Sequence, residues 1–168
     1  MALRHACRGA ACLLACLLMS APAAGAAVPP SRLIVPGHSI ARVSLGEASG
    51  AVIGLLGRPH KLGSEGGPQW LYGPLDVWMD STELQVLEIV VSPAFGSSVA
   101  AAGQYQTAAG VGVGSTIAAV EKAYPKARCN ARNRGCFLYS NGNETYFGLA
   151  AGARYKPAAT VWQVILES

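Results

Sequence analysis

Val43-Ser44-Leu45-Gly46-Glu47-Ala48-Ser49-Gly50-Ala51-Val52-Ile53-Gly54-Leu55-Leu56 and Val111-Gly112-Val113-Gly114-Ser115-Thr116-Ile117-Ala118-Ala119-Val120-Glu121-Lys122-Ala123-Tyr124 repeat one pattern 68 positions apart. Identities fall at Val43/Val111, Gly46/Gly114, Ala51/Ala119 and Val52/Val120. Self-similarity at a fixed period constrains architecture before any local motif does, because each copy brings the same elements in the same order. Each copy reads as an extended entry, a glycine and then a helix. In the first, Ala48, Ala51, Val52, Leu55 and Leu56 form one apolar stripe at helical spacing over 48–56. Gly57 suits the left-handed position after a helix, and Pro59 stops any continuation. In the second, Thr116, Ala119, Val120, Ala123 and Tyr124 repeat the stripe, with Ser115 as N-cap and Pro125 as stop.

Strand patterns follow each helix. Trp70 and Tyr72 alternate, as do Val77 and Met79, and Leu87, Ile89 and Val91 face one side of a third strand. After the second helix, strands are predicted at 128–129, 136–139, 145–149 and 161–166, with Asn141-Gly142 as a two-residue hairpin turn. The fold class is therefore α+β: two tandem modules, each a short helix packed on an antiparallel β-sheet. The modules span 37–93 and 110–168, with an Ala-, Gly- and Ser-rich linker at 94–109. Residues 27–36, with Pro29-Pro30, read as a flexible leader.

The first 26 residues read as a signal peptide. Arg4, His5 and Arg8 precede an apolar run over 9–19, and Ala24-Gly25-Ala26 supplies a small-residue cleavage site after Ala26. Ser20 and Pro22 interrupt the run before it reaches membrane-spanning length, so no transmembrane segment is expected in the mature chain. The expected location is secreted or periplasmic. An alternative lies in Leu13-Leu14-Ala15-Cys16, an imperfect lipobox that would anchor the chain through a lipid on Cys16. Only Cys129 and Cys136 follow the signal, and two cysteines in an exported chain are expected to pair. The small loop they close would add roughly 2–2.5 kcal/mol.

Charge is uneven. Residues 27–100 carry four basic and six acidic residues, and residues 101–168 carry seven and three. Opposite-signed halves favour steering of a partner or mutual attraction of the modules. So few basic residues in an exported chain argue against nucleic acid as a partner.

The pattern Val43-x-Leu45-Gly46, Val52, Leu56-Gly57-x-Pro59 and then Trp70-x-Tyr72 resembles the beta-lactamase-inhibitory-protein-like group of secreted bacterial proteins. The same helix-then-sheet module looks like the small outer-membrane lipoprotein of the barrel assembly machinery. The resemblance covers about residues 36–167 and implies two modules in tandem, with contacts on loops and on a sheet surface. The residues that match are glycines, prolines and apolar residues that serve a fold, and no inhibitory contact carries over. The second half, from the glycine-rich 110–114 run through Cys129 and Cys136, also looks like uncharacterised exported bacterial proteins with one short disulfide hairpin.

Motifs for catalysis are weak. Ser39, in Gly37-His38-Ser39, precedes an extended segment where a serine nucleophile needs a strand-to-helix elbow. The spacing of His38, His60, Asp76 and Asp80 selects no metal, and no cofactor is expected. The run 110–114 lacks the leading strand and acidic residue of a dinucleotide site. The aromatics say more. Tyr146 and Phe147 are strand neighbours that cannot both face the core, and Trp78 faces away from Val77 and Met79. Some aromatics thus point outward or cover a seam between modules, and outward ones suit partner contacts. The expected contact set is Trp78, Tyr139, Tyr146, Arg132 and Arg134. The expected function is a non-enzymatic protein-binding module, inhibitor-like or envelope-associated, whose partner is an unidentified exported or envelope protein. The alternatives are a small exported hydrolase using His38 or His60, and a lipid-anchored structural protein of the envelope.

Overall fold

The computed structural model of the protein describes residues 27–63, 68–80, 84–94 and 96–168. The expected signal peptide and Cys16 lie outside the described residues. A 3-10 turn at Pro30–Arg32 leads into β1 (Leu33–Val35), β2 (Ser39–Ile40), β3 (Val43–Ser44) and α1 (Ser49–Leu56). β4 (Lys61–Gly63), β5 (Gln69–Tyr72), β6 (Leu75–Met79) and β7 (Val86–Val91) follow. Next come α2 (Val99–Ala102), β8 (Gln106–Thr107), α3 (Ile117–Ala123), β9 (Arg128–Asn130), β10 (Gly135–Ser140), β11 (Asn143–Leu149) and β12 (Val161–Glu167). Short helices on antiparallel strands make this an α+β fold, as the sequence predicts.

Eight strands form one antiparallel sheet in the order β4-β5-β6-β7-β12-β11-β10-β9. Its halves join where β7 pairs with β12, placing Val91, Val90, Ile89 and Glu88 opposite Val164, Ile165, Leu166 and Glu167. The strands of the two expected modules therefore share a single sheet. A second sheet, β3-β2-β1-β8, is built from short strands.

Strand alternation divides the large sheet into two faces. Leu75, Val77, Ile89, Val91, Phe147, Val164 and Leu166 face a core completed by Ile34, Ile40 and Val43 of the small sheet, Val52 of α1, and Ile117 and Val120 of α3. The helices and the small sheet thus cover one face and leave the other uncovered by these elements, although Gln69, Leu71, Asp76 and Val90 at its β5–β7 end are themselves buried.

The two helices enter the sheet alike. Gly46 donates its N–H to the Val86 carbonyl (2.7 Å), and Gly114 does the same to Val161 (2.9 Å). In return Val86 donates to Glu47 (2.9 Å) and Val161 to Ser115 (2.8 Å). Ala48 bridges Gln85, and Thr116 bridges Thr160. Each half also carries a bulge in its last strand. Trp78 pairs with Glu88 and Met79 with Val86, so Leu87 has no partner; Gly148 pairs with Gln163 and Leu149 with Val161, so Trp162 has none.

Several local expectations are corrected. Leu87 does not share a face with Ile89 and Val91, because the bulge turns it outward to 44% exposure. In α1 only Val52 is buried and Leu56 half-buried; Ala51 and Leu55 are exposed, so the stripe is narrower than its spacing suggests. The N-cap of α3 is Thr116, whose hydroxyl accepts from Ala119 N (3.1 Å), while the Ser115 hydroxyl accepts from Gly112 N. The leader is not loose throughout: β1 lies within it, and Ile34 is in the core. The linker holds α2, capped by the Ser98 hydroxyl, and β8, which pairs in parallel with β1. Asn141 and Gly142 take positive φ values of 56° and 82° and close the β10–β11 hairpin as expected.

Candidate functional site

The uncovered face is read row by row across the strands. One row runs Leu71, Asp76, Val90, Ile165, Tyr146, Phe137 and Arg128, each opposite the next. The neighbouring row runs Gln69, Trp78, Glu88, Glu167, Glu144 and Tyr139. Its centre is three glutamates on three adjacent strands, with an aromatic residue at each end. At the spacing of neighbouring strands, Trp78 and Tyr139 stand roughly 19 Å apart.

Three of the five residues predicted to make contacts thus share this face. Tyr139 is 63% exposed, and Trp78 and Tyr146 are half-buried. Trp78 donates its indole N–H to Asp76 Oδ2 (3.1 Å), an oxygen that also accepts from Gln69 Nε2 (2.6 Å). Asp76 is 4% exposed, and its Oδ1 has no hydrogen-bond partner among the described residues. Arg132 and Arg134 lie in the β9–β10 turn, and the pair is split in role. Arg132 is exposed, whereas Arg134 donates through its guanidinium to the Ala150 carbonyl and has a positive φ of 54°.

The Tyr146 ring lies along the sheet rather than standing off it. A Cβ at Gly135 would come 2.6 Å from Tyr146 Cε2, and one at Gly148 would come 2.5 Å from Cε1. These two glycines face each other across β10 and β11 and leave room for the ring. Its hydroxyl donates toward the carbonyls of Asn133 (2.7 Å) and Arg134 (3.2 Å), and the ring stacks on Phe137 with centroids 4.6 Å apart. Two shallow grooves border it. One of about 270 Å³ is lined by Arg128, Asn130, Asn133, Phe137 and Tyr139. The other, of about 350 Å³, includes Asn133, Arg134, Tyr146, Trp162 and Gln163 in its lining.

Electrostatics on this face are set by its acids. Burial pushes the Asp76 carboxyl above its ordinary range, partly offset by the Gln69 and Trp78 hydrogen bonds. Burial also raises Glu88, reinforced by the charges of Glu167 and Asp76. A hydrogen bond to Glu144, and then the charge of that carboxylate, raise the Tyr139 phenol.

Cys129 and Cys136 are directly opposite on β9 and β10 and are joined by a disulfide. The bond ties the edge strand that carries Arg128 to the sheet. His38 lies in the β1–β2 turn and His60 just before β4, both exposed, while Ser39 is buried in β2. Among the described residues no group of three or more His, Cys, Asp or Glu could hold a metal ion. No helix there is long and apolar enough to cross a membrane.

Sequence reasoning missed the glutamate row. Alternation alone could have turned Glu88, Glu144 and Glu167 outward. Their alignment depends on β7 pairing with β12, which no local signal announces.

Comparison with family models and with curated proteins gives no match. Two solved structures are similar to this chain. An extracellular protein containing an SCP domain, from Bacillus anthracis, gives a TM-score of 0.51 at 11% identity over 74% of this chain and 44% of that one. This chain thus corresponds to less than half the length of that protein. A DUF4309 family protein from Bacillus subtilis gives 0.48 at 14% identity, over 79% and 88%. At 11% identity the first likeness bears on the fold alone.

Proposed function

We propose that this is an exported, non-enzymatic binding protein that meets another exported or envelope protein with the uncovered face of its large sheet. The observation that carries the reading is the placement of Trp78, Tyr139 and Tyr146 together on the one face that the helices leave open. Aromatic side chains on a rigid sheet bury large area at low entropic cost, and Tyr139, the most exposed of the three, suits an anchoring contact. Export is supported by the signal-like first 26 residues, and the Bacillus anthracis neighbour is itself an extracellular protein. The matched hydrogen bonds of Gly46 and Gly114 support two duplicated units, at 37–93 and 110–168, fused through β7 and β12. Inhibitor-like occlusion of an enzyme is one form this binding could take.

Affinity capture with the tagged protein against envelope and culture-fluid proteins tests the reading. Tyr139→Ala is the cleanest variant, because the side chain is mostly exposed. A partner captured by the wild type and lost from Tyr139→Ala at unchanged melting temperature is the expected result. A partner retained in full by Tyr139→Ala and by Trp78→Phe would overturn it.

A further inference from the structure

We propose that the uncovered face takes a cationic segment of its partner, with lysine or arginine side chains seated on Glu88, Glu167 and Glu144 between Trp78 and Tyr139. This inference rests on the reading of that face as a docking surface and adds the chemistry of what docks there.

The first argument is register. Glu88 is opposite Glu167, and Glu167 is opposite Glu144, so three carboxylates occupy neighbouring strands in one line. Like charges directly opposite in a sheet repel, and alternation to a cation across the strand would remove the conflict at no cost in packing. The protein does not do this. None of the three glutamates forms an ion pair among the described residues. The basic residues nearby, Arg128, Arg132 and Arg134, sit on β9 and its turn at the sheet edge. Sequences that hold a locally unfavourable arrangement do so mostly at functional sites.

A second observation at the same place is independent of the row. Asp76, one row over on β6, is a carboxylate more than nine-tenths buried. Gln69 and Trp78 both donate to its Oδ2, and Oδ1 has no partner among the described residues. Buried acceptors are almost always satisfied in folded proteins, so an orphan oxygen beside the acidic row is a second locally unfavourable feature in the same part of the sheet. It also adds a fourth negative group to the field, felt at Glu88.

The aromatics complete the complementarity. The Trp78 N–H is turned to Asp76, which fixes the half-buried indole at one end of the row. Tyr139 stands directly opposite Glu144 at the other end of the row. Negative charge flanked by aromatic faces is the arrangement that attracts ammonium and guanidinium groups.

The test uses a hexalysine peptide titrated into the purified protein and followed by tryptophan fluorescence, with hexaglutamate as control. Residues 27–168 carry eleven basic and nine acidic residues, so overall charge alone would repel hexalysine. Binding of hexalysine and not of hexaglutamate, weakened about tenfold in Glu144→Gln/Glu167→Gln, is the expected result. That double variant should also melt at a higher temperature than the wild type, which shows it folded and shows the repulsion relieved. Failure of the wild type to bind hexalysine, or equal binding by the double variant, overturns the proposal. If a captured protein partner is lost from Tyr139→Ala but kept by the double variant, the docking face stands and its cationic chemistry falls.

Discussion

Gly37 donates its backbone N–H to the hydroxyl of Thr145, buried, at 2.8 Å and across 108 positions of sequence. Asn143 Nδ2 donates in turn to the Gly37 carbonyl at 2.9 Å. The β1–β2 turn is thereby clamped onto the β10–β11 hairpin. Gly37 has φ +69°, and a Cβ there would meet the Ser140 carbonyl oxygen at 2.1 Å. Gly37→Ala should therefore cost roughly 2–3 kcal/mol or more. Thr145→Val, which leaves a buried N–H without an acceptor, should cost about 1–3 kcal/mol. Thermal melts followed by circular dichroism check both, and an unchanged melting temperature in either would remove the clamp from the stability account.

Helix α1 offers the opposite sign. Cβ atoms added at Gly50 and Gly54 would meet nothing within 4 Å, and neither glycine has a positive φ. Gly50→Ala and Gly54→Ala should each stabilise the protein by about 0.5–1 kcal/mol, by narrowing the unfolded ensemble and favouring the helix. The same melts would show the gain.

Acidity should stabilise this protein at first. Both Asp76 and Glu88 have carboxyls raised above their ordinary values, mainly by burial. A raised acid holds its proton in the folded state at a pH where the unfolded chain has lost it. Stability therefore falls as pH rises through that window and returns as pH drops toward the ordinary carboxylate range near 4–5. Melting temperature should climb as pH drops through that window, before general acid effects set in. Glu88→Gln should flatten that slope.

The Tyr146 ring depends on its glycines. Gly148→Ala would push against the ring and against Gln163 Cγ, 3.0 Å away. A cost of about 1–3 kcal/mol is expected for such overpacking. Loss of the Phe137–Tyr146 stack should alter the near-ultraviolet circular dichroism spectrum.

The second half of the chain was the more legible. Asn141-Gly142, the alternation along β10 and β11, and the pairing of Cys129 with Cys136 are all local signals, closed within a few residues. What could not be read were the bulges and the non-local pairings. Leu87 and Trp162 sit in runs that alternate cleanly on paper, and only the partner strand reveals the extra residue. The narrow burial of α1 was hidden for a similar reason: spacing gives a stripe, but the surface it meets decides how much is covered. For the site, outward aromatics followed from alternation, whereas Arg134 looked like a free contact until its guanidinium was seen on Ala150.

Strand order in space and strand order in time disagree in this molecule. β12 follows every other described strand in sequence, yet it lies between β7 and β11 near the middle of the large sheet. Before it emerges, two inner strands present open edges and the glutamate row has no centre. A chain threaded amino-end first, through a ribosome or an export channel, stays divided into two unfinished ribbons until its last strand arrives. The line of Glu88, Glu167 and Glu144 across adjacent strands comes into being only in that final step.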